Sequence, residues 1–142
     1  FSILIGDILR LWLVSNKHRS NNMLLFETLC MPPIHLNQFR IYRHNGRPIG
    51  YVVWAFLTEE LGKQYIVGDF DFKSEYWNSG DQLWFIDVIA PYGHIDQIRH
   101  DLQHNIFPDK IAYAPWVSQD GKSYRVRRFH GVNRSPCRGV NK

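Results

Sequence analysis

Asp87 is the first residue whose type and setting point to chemistry. It stands in the run Leu83-Trp84-Phe85-Ile86-Asp87-Val88-Ile89-Ala90, whose other members are apolar. A carboxylate among such neighbours is costly to bury without a partner. Either it meets a cation or hydrogen-bond donors inside the fold, as a structural acceptor does, or its face opens into a cleft. His18 is the candidate partner of most chemical use. A carboxylate fixes an imidazole's tautomer and supports its cationic form, which makes it a better general base. Residue types alone leave open whether the two side chains meet.

Other candidates carry weaker signals. His100 and His104 are spaced i, i+4, with His94 nearby, a spacing that can chelate zinc. No acidic or thiol third ligand is placed by pattern, and the glutamate of an H-E-x-x-H motif is absent, so a solvated helix face is expected. Cys30 would be a nucleophile if a histidine stood beside it. It lies in an apolar stretch before Pro32-Pro33, and free cysteines of that kind are expected to be small buried hydrophobes. Arg125, Arg127 and Arg128, followed by His130, Arg134 and Arg138, make the C-terminal part basic. Arg125 and Arg127 alternate to one face of a strand, suited to phosphates or an acidic protein surface; a solvated edge strand is the alternative. Few aromatics interleave with them, so a nucleic-acid platform is not expected. The chain has no Walker P-loop, no nucleophile elbow and no G-x-G-x-x-G fingerprint.

The elements that must position these residues follow from periodicity and turn chemistry. Leu83 to Ala90 is of strand length, ends at Pro91 and Gly93, and is apolar on both faces, as in a central strand covered on both sides. Strict alternation would set Trp84, Ile86, Val88 and Ala90 on one face and Phe85, Asp87 and Ile89 on the other. Ile3 to Val14 reads as a helix with Leu4, Ile8, Leu11 and Ser15 on one face and Ile5 and Trp12 beside it. Asp7 and Arg10 inside this run, and the lack of a basic leader, favour a helix packed on a sheet over a signal-peptide core. It ends near Ser15-Asn16-Lys17-His18. Met23 to Met31 predicts a second helix, stopped by Pro32-Pro33.

Gln38 to Arg43, Asn45-Gly46 and Ile49 to Leu57 form a hairpin pattern. Thr58 to Tyr76 reads as mostly loop, with a short strand at Tyr65 to Val67. Asn78 to Asp81 turns into the central strand. Ile95 to Ile106 predicts a helix ended by Pro108, and the strand–turn–helix at Pro91 to Gln97 follows the buried strand, at whose end ligands commonly bind. Ile111 to Val117 is a strand that Pro115 assigns to an edge or a bulge. Asp120-Gly121 reads as a hairpin turn, Tyr124 to His130 as the last strand, and Arg134 to Lys142 as a loose tail. The order predicts an α+β fold with a mostly antiparallel sheet.

The totals set outer bounds. The 142 residues suit one domain with a real core. A hydrophobic fraction of 44% and an aromatic fraction of 15% exclude a disordered chain. Seventeen Lys+Arg against 13 Asp+Glu give a net charge of +4, a mild excess that permits an acidic partner. Two cysteines are too few for a disulfide scaffold or a four-thiolate zinc site. No stretch reaches transmembrane length, so no stable membrane insertion is expected, and a reduced intracellular setting is.

Read together, the strings Ser79-Gly80-Asp81, Trp84-Phe85-Ile86-Asp87 and Ile89-Ala90-Pro91-Tyr92-Gly93 resemble those of the toxin-activating lysine acyltransferases, bacterial proteins that fatty-acylate RTX protoxins. Leu11-Trp12, Ser15 and His18-Arg19 resemble that family's N-terminal helix and the catalytic histidine after it. Pro48-Ile49-Gly50-Tyr51 with Trp54-Ala55, Phe107-Pro108-Asp109 and Phe129-His130-Gly131 continue the likeness along most of the chain.

The resemblance implies a fold similar to GNAT N-acyltransferases in a single domain over residues 1–142. It implies transfer of a fatty acyl chain from acyl carrier protein to internal lysines of an RTX protoxin, in the cytoplasm. His18 would be the catalytic histidine, Asp87 its acidic partner and Ser15 a nearby functional hydroxyl. Acyl carrier protein would be a co-substrate and no cofactor or metal is implied; a homodimer is. Where CoA-dependent relatives have a Gly-rich loop, this chain reads Pro91-Tyr92-Gly93-His94-Ile95-Asp96, with one glycine. That favours a carrier protein, with Arg125, Arg127 and Arg128 as its basic contact. Asn21 stands where relatives often have Trp, and Trp116 where many have Arg. Relatives extend further at the C-terminus and the chain starts at Phe1, so truncation at both ends is expected. The alternatives are a CoA-dependent GNAT N-acyltransferase and a catalytically inactive binding relative.

Overall fold

The computed structural model describes residues 1–68, 70–117 and 124–134. The expected turn at Asp120-Gly121 and the whole tail after Arg134, with Cys137 and Arg138, lie outside them. A five-stranded sheet runs in the order β1(Phe39–His44), β2(Arg47–Leu57), β3(Gln82–Ile89), β4(Ile111–Val117), β5(Tyr124–His130). Neighbours are antiparallel except β3 and β4, which are parallel. The α+β, mostly antiparallel expectation therefore holds. Helices α1(Ser2–Val14), α2(Met23–His35) and α3(Glu59–Val67) lie on one side of the sheet. The helix α4(Ile95–Asp101), prolonged by a π-helical turn over Leu102–Ile106, lies on the other.

Helix α1 packs as its periodicity predicts. Ile8, Leu11 and Trp12 are buried, with Leu4 and Ile5 against the same cluster. Asp7, the interior charge, is also buried and accepts from Arg43 Nε at 2.8 Å, so strand β1 supplies the partner that offsets the cost of burying a carboxylate. The Asn45-Gly46 turn joins β1 to β2 with φ of 51° and 78°, as the two-residue hairpin with both central residues left-handed requires.

Two helices depart from expectation. Helix α2 runs through Pro32 and Pro33 to His35 rather than stopping before them. Prolines remove donors but not acceptors: the Leu36 and Gln38 amides donate to the carbonyls of Pro32 and Pro33 at 3.0 and 2.8 Å. Burial of Phe26, Cys30, Pro33 and Ile34 holds the helix in place across them. The strand expected at Tyr65 to Val67 is instead the last turn of α3. Thr58 caps this helix by accepting from Leu61 N at 3.1 Å, and Glu59 and Glu60 occupy its first turn. Cap and dipole together outweigh the β-branched pair at its end.

The central strand also departs from strict alternation. Val53 pairs with Asp87 but Trp54 pairs with Phe85, so Ile86 is an extra residue in a β-bulge. Trp84, Asp87 and Ile89 oppose Ala55, Val53 and Tyr51, on the side of α1, while Phe85 and Val88 oppose Trp54 and Val52. Asp87 therefore does not share a face with Phe85.

Strand β4 is internal rather than an edge. Its pairing with β3 is confined to Leu83↔Ala112 and Trp84↔Tyr113, and Pro115 sits beyond it, where β4 bonds β5 alone. A residue without an N–H is tolerated there for the same reason as at an edge. Among the described residues no helix is long and apolar enough to cross a membrane.

Close approach decides the glycine before β3. A Cβ on Gly80 would stand 2.4 Å from Leu57 O and Thr58 N, backbone atoms that cannot swing aside. Gly80→Ala is expected to lower stability by about 1–3 kcal/mol, read as a lowered urea midpoint. Gly6, inside α1 with open space around its Cβ position, is the opposite case: Gly6→Ala is expected to raise stability by about 0.5–1 kcal/mol.

Cys30 is a core residue, 1% exposed, and burial pushes its thiol up to about 12. Iodoacetamide, which needs thiolate, is expected to leave Cys30 unmodified at pH 8 in native buffer and to modify it in urea, as read by peptide mass. The same shift makes stability fall with pH. The unfolded thiol ionises above about pH 8.5 while the buried one keeps its proton. This contribution is thus complete below pH ~8.5 and is lost toward pH 12.

Candidate functional site

The chain after α1 turns at once. Ser15 O accepts from the amides of His18 and Arg19 at 3.0 and 2.9 Å. This brings His18 back against its own helix, its ring 5.0 Å from that of Trp12 and its Nδ1 2.6 Å from Ser15 Oγ. The bulge at Ile86 aims Asp87 at the same place from below. Its two carboxylate oxygens lie 2.9 and 2.8 Å from His18 Nε2. Exposure is 3% for His18 and 9% for Asp87. A carboxylate at Nε2 holds the proton on that nitrogen, which leaves Nδ1 as acceptor for the Ser15 hydroxyl. Ser15, His18 and Asp87 thus form one hydrogen-bonded chain, in which the serine ends half-buried and the carboxylate ends in the core.

Two cavities meet at this chain. One, of about 530 Å³, lies between α4 and the diverging strands β3 and β4, walled by Phe85, Ile98, Leu102, Phe107, Ala114 and Phe129. It is largely apolar, as sites for extended hydrophobic ligands are. The other, of about 710 Å³, opens over the α1–α2 turn and includes His18. Lys17, Tyr65, Ile86 and Asp87 border both. Burial, and then the Asp87 charge, raises the Tyr65 hydroxyl above its ordinary range. It stays protonated and donates to Ile86 O at 3.4 Å.

Other candidates stand apart. Cys30 borders neither cavity. His100 and His104 stack at 3.9 Å on the exposed side of α4 and its continuation, with His104 Nδ1 3.0 Å from His100 O. Among the described residues no cluster of three or more His, Cys, Asp or Glu could hold a metal. Arg125, Arg127 and Arg128 lie exposed on the edge strand β5. The Arg127 guanidinium sits 5.9 Å from the ring of Phe129, which walls the apolar cavity.

Sequence reasoning missed Tyr65, Lys17, Phe107 and Phe129 as bordering residues. Tyr65 was legible in principle: Thr58-Glu59-Glu60 is a helix-start signal, and a helix from there carries Tyr65 on its inner face. The walls of the apolar cavity had no such signal, because they come from α4 and its continuation and from β3, β4 and β5, which only the tertiary fold brings together.

A sequence model described as the RTX toxin acyltransferase family matches residues 1–130. The uncharacterized protein sll0720 of Synechocystis is 37% identical over 130 residues, covering 89% of this chain and 88% of its own. The RTX-I toxin-activating lysine-acyltransferase ApxIC of Actinobacillus pleuropneumoniae is 32% identical, covering 89% of this chain and 73% of its own. The protein-lysine myristoyltransferase RtxC of Kingella kingae is 33% identical, covering 91% and 77%. With a family match that spans all the secondary structure described above and both members of the buried His18–Asp87 pair, the chain belongs to the RTX toxin acyltransferase family.

Proposed function

We propose that this protein is a lysine acyltransferase that moves a fatty acyl chain from acyl carrier protein to internal lysines of an RTX protoxin, in the cytoplasm. The observation that carries this reading is the buried Ser15–His18–Asp87 chain, whose Asp87 borders a largely apolar cavity of about 530 Å³. Such a cavity suits an acyl chain and the arm that delivers it. The names of the relatives, a toxin-activating lysine-acyltransferase and a protein-lysine myristoyltransferase, agree with that choice of substrate.

A lysine ε-amine is protonated at neutral pH and must lose a proton before it attacks. Both ring nitrogens of His18 are occupied, Nε2 by Asp87 and Nδ1 by Ser15. The proton therefore passes from the amine to Ser15 Oγ as the serine hands its own proton to Nδ1, and Asp87 stabilises the imidazolium that results. The thioester oxygen, which gains charge, takes a donor from the edge of β3 beyond Trp84, where pairing with β4 has ended. A five-stranded, mostly antiparallel sheet with helices on both faces supports the GNAT-like reading of the fold. The carrier, an acidic protein, meets Arg125, Arg127 and Arg128 on β5, beside the cavity wall formed by Phe129.

The first test is intact-mass spectrometry of a protoxin fragment incubated with this protein and acyl-charged carrier protein. An acyl-sized gain on lysine is expected. His18→Ala and Asp87→Asn are expected to slow it by roughly 10²–10⁴-fold, the usual range for a general base, and Ser15→Ala by less, because water can stand in for its hydroxyl. No gain from a folded wild-type chain at any acyl length would sink the proposal. Transfer from acyl-CoA in place of the carrier would move it to the CoA-dependent branch.

The second test is charge reversal. Arg127→Glu with Arg128→Glu is expected to raise the KM for acyl carrier protein, and more strongly at low than at high salt. An unchanged carrier KM would move the docking surface elsewhere.

A further inference from the structure

Two substrates must reach one base, and one cavity cannot serve both at once. The larger cavity, of about 710 Å³, approaches the His18–Asp87 pair from the side opposite the apolar one. Its mouth is formed by the α1–α2 turn at Asn21 and Asn22, by Leu24 of α2, and by the segment Phe70-Asp71-Phe72. Leu24 is 67% exposed there, an apolar side chain that the fold itself does not use.

The carboxylates that border this cavity are Asp71 and Asp87. Asp87 is committed to His18. Asp71 is exposed and has no hydrogen-bond or ion-pair partner among the described residues. It is nonetheless held in place from both sides. Phe72 packs on Trp77 with ring centroids 4.4 Å apart, and Phe70 stands edge-on to Phe72 at 5.2 Å. A negative charge is thus presented on a braced segment of a cavity whose other charged or titratable lining groups are Lys17, His18 and Asp87, the last two paired with each other, beside Ile86 and the protonated Tyr65.

We propose that this second cavity is the acceptor site. It takes an extended, lysine-bearing segment of the protein substrate, with Asp71 capturing the ammonium at the mouth. This rests on the lysine acyltransferase reading and divides its two substrates between the two cavities. Capture and attack need different surroundings. The Asp71 carboxylate holds the amine charged, whereas beside the Lys17 cation and the apolar Ile86, with Asp87 committed to His18, the charge is disfavoured and the proton is released. At the junction the amine nitrogen forms a bond to the acyl carbon and the carbon–sulfur bond breaks. The proton taken up through Ser15 and His18 ends on the departing thiolate, which leaves as the carrier's thiol, and the second proton, which the nitrogen sheds as the amide forms, passes to solvent.

The test is steady-state kinetics with acyl-charged carrier protein as donor and an RTX protoxin fragment bearing its internal lysines as acceptor. It is paired with direct binding of that fragment to the protein in the absence of donor. Asp71→Asn, which keeps the shape and removes the charge, is expected to raise the KM for the fragment about fivefold, the size of an exposed ion pair. The kcat and the donor KM are expected to hold, and Asp71→Glu to restore most of the loss. An unchanged fragment KM in Asp71→Asn, or a rise confined to the donor KM, overturns the assignment. Wild-type protein that transfers nothing overturns the acyltransferase reading instead. The binding arm then judges the cavity alone: fragment affinity weakened by Asp71→Asn supports it, and affinity that is absent or unchanged overturns it.

Discussion

The contact between His18 and Asp87 is the constraint on which the rest of the structure depends. Both groups are removed from water, and each would be costly to bury alone. Their meeting has three requirements. Helix α1 must be seated on the sheet, which Ile8, Leu11 and Trp12 achieve. The chain must fold back immediately after α1, which the amide bonds to Ser15 O achieve. And β3 must turn Asp87 toward the helix, which the extra residue at Ile86 achieves. Without that bulge the carboxylate would face the α4 side with Phe85, and His18 would be buried with no acceptor at Nε2.

The same strand organises the space around the pair. After two residue pairs β3 leaves β4, and the sheet gives up part of its ladder for a cavity. Backbone groups without ladder partners are expensive when sealed in apolar surroundings, and they persist where a site has a use for them. Pro115 fits this arrangement, since it withholds a donor on the stretch of β4 where β3 no longer needs one. The two cavities are therefore not separate features of the surface. They are the two sides of one bulged, half-paired strand, with Ile86 and Asp87 as the wall between them.

Charge is distributed to match. The cations Arg127 and Arg128 lie on the edge strand, beyond the apolar cavity that Phe129 walls, while Asp71 stands at the mouth of the other. A donor carried on an acidic protein and an acceptor carrying an ammonium would be drawn to opposite sides of the same base.

Much of this was legible in the residues. The period of α1, the Asn45-Gly46 turn, the strand run at Leu83 and the anomaly of a carboxylate within it are local signals. Each follows from side-chain type and spacing within a dozen residues, so the α+β class and the candidacy of His18 and Asp87 came from sequence. Local signals failed where competing terms were close in size. Two prolines predicted a stop that the burial of α2 overrode, and a β-branched pair masked a helix already announced by Thr58-Glu59-Glu60. What only the tertiary structure decided was direction and room. A bulge is defined by its pairing with a neighbouring strand, so no reading of β3 alone could turn Asp87 toward α1. A cavity is defined by where two strands cease to pair, so neither the apolar chamber nor the second opening over the α1–α2 turn could be read from any single stretch. The sequence by itself determined which groups can do chemistry; long-range strand pairing decided which way they point and what can reach them.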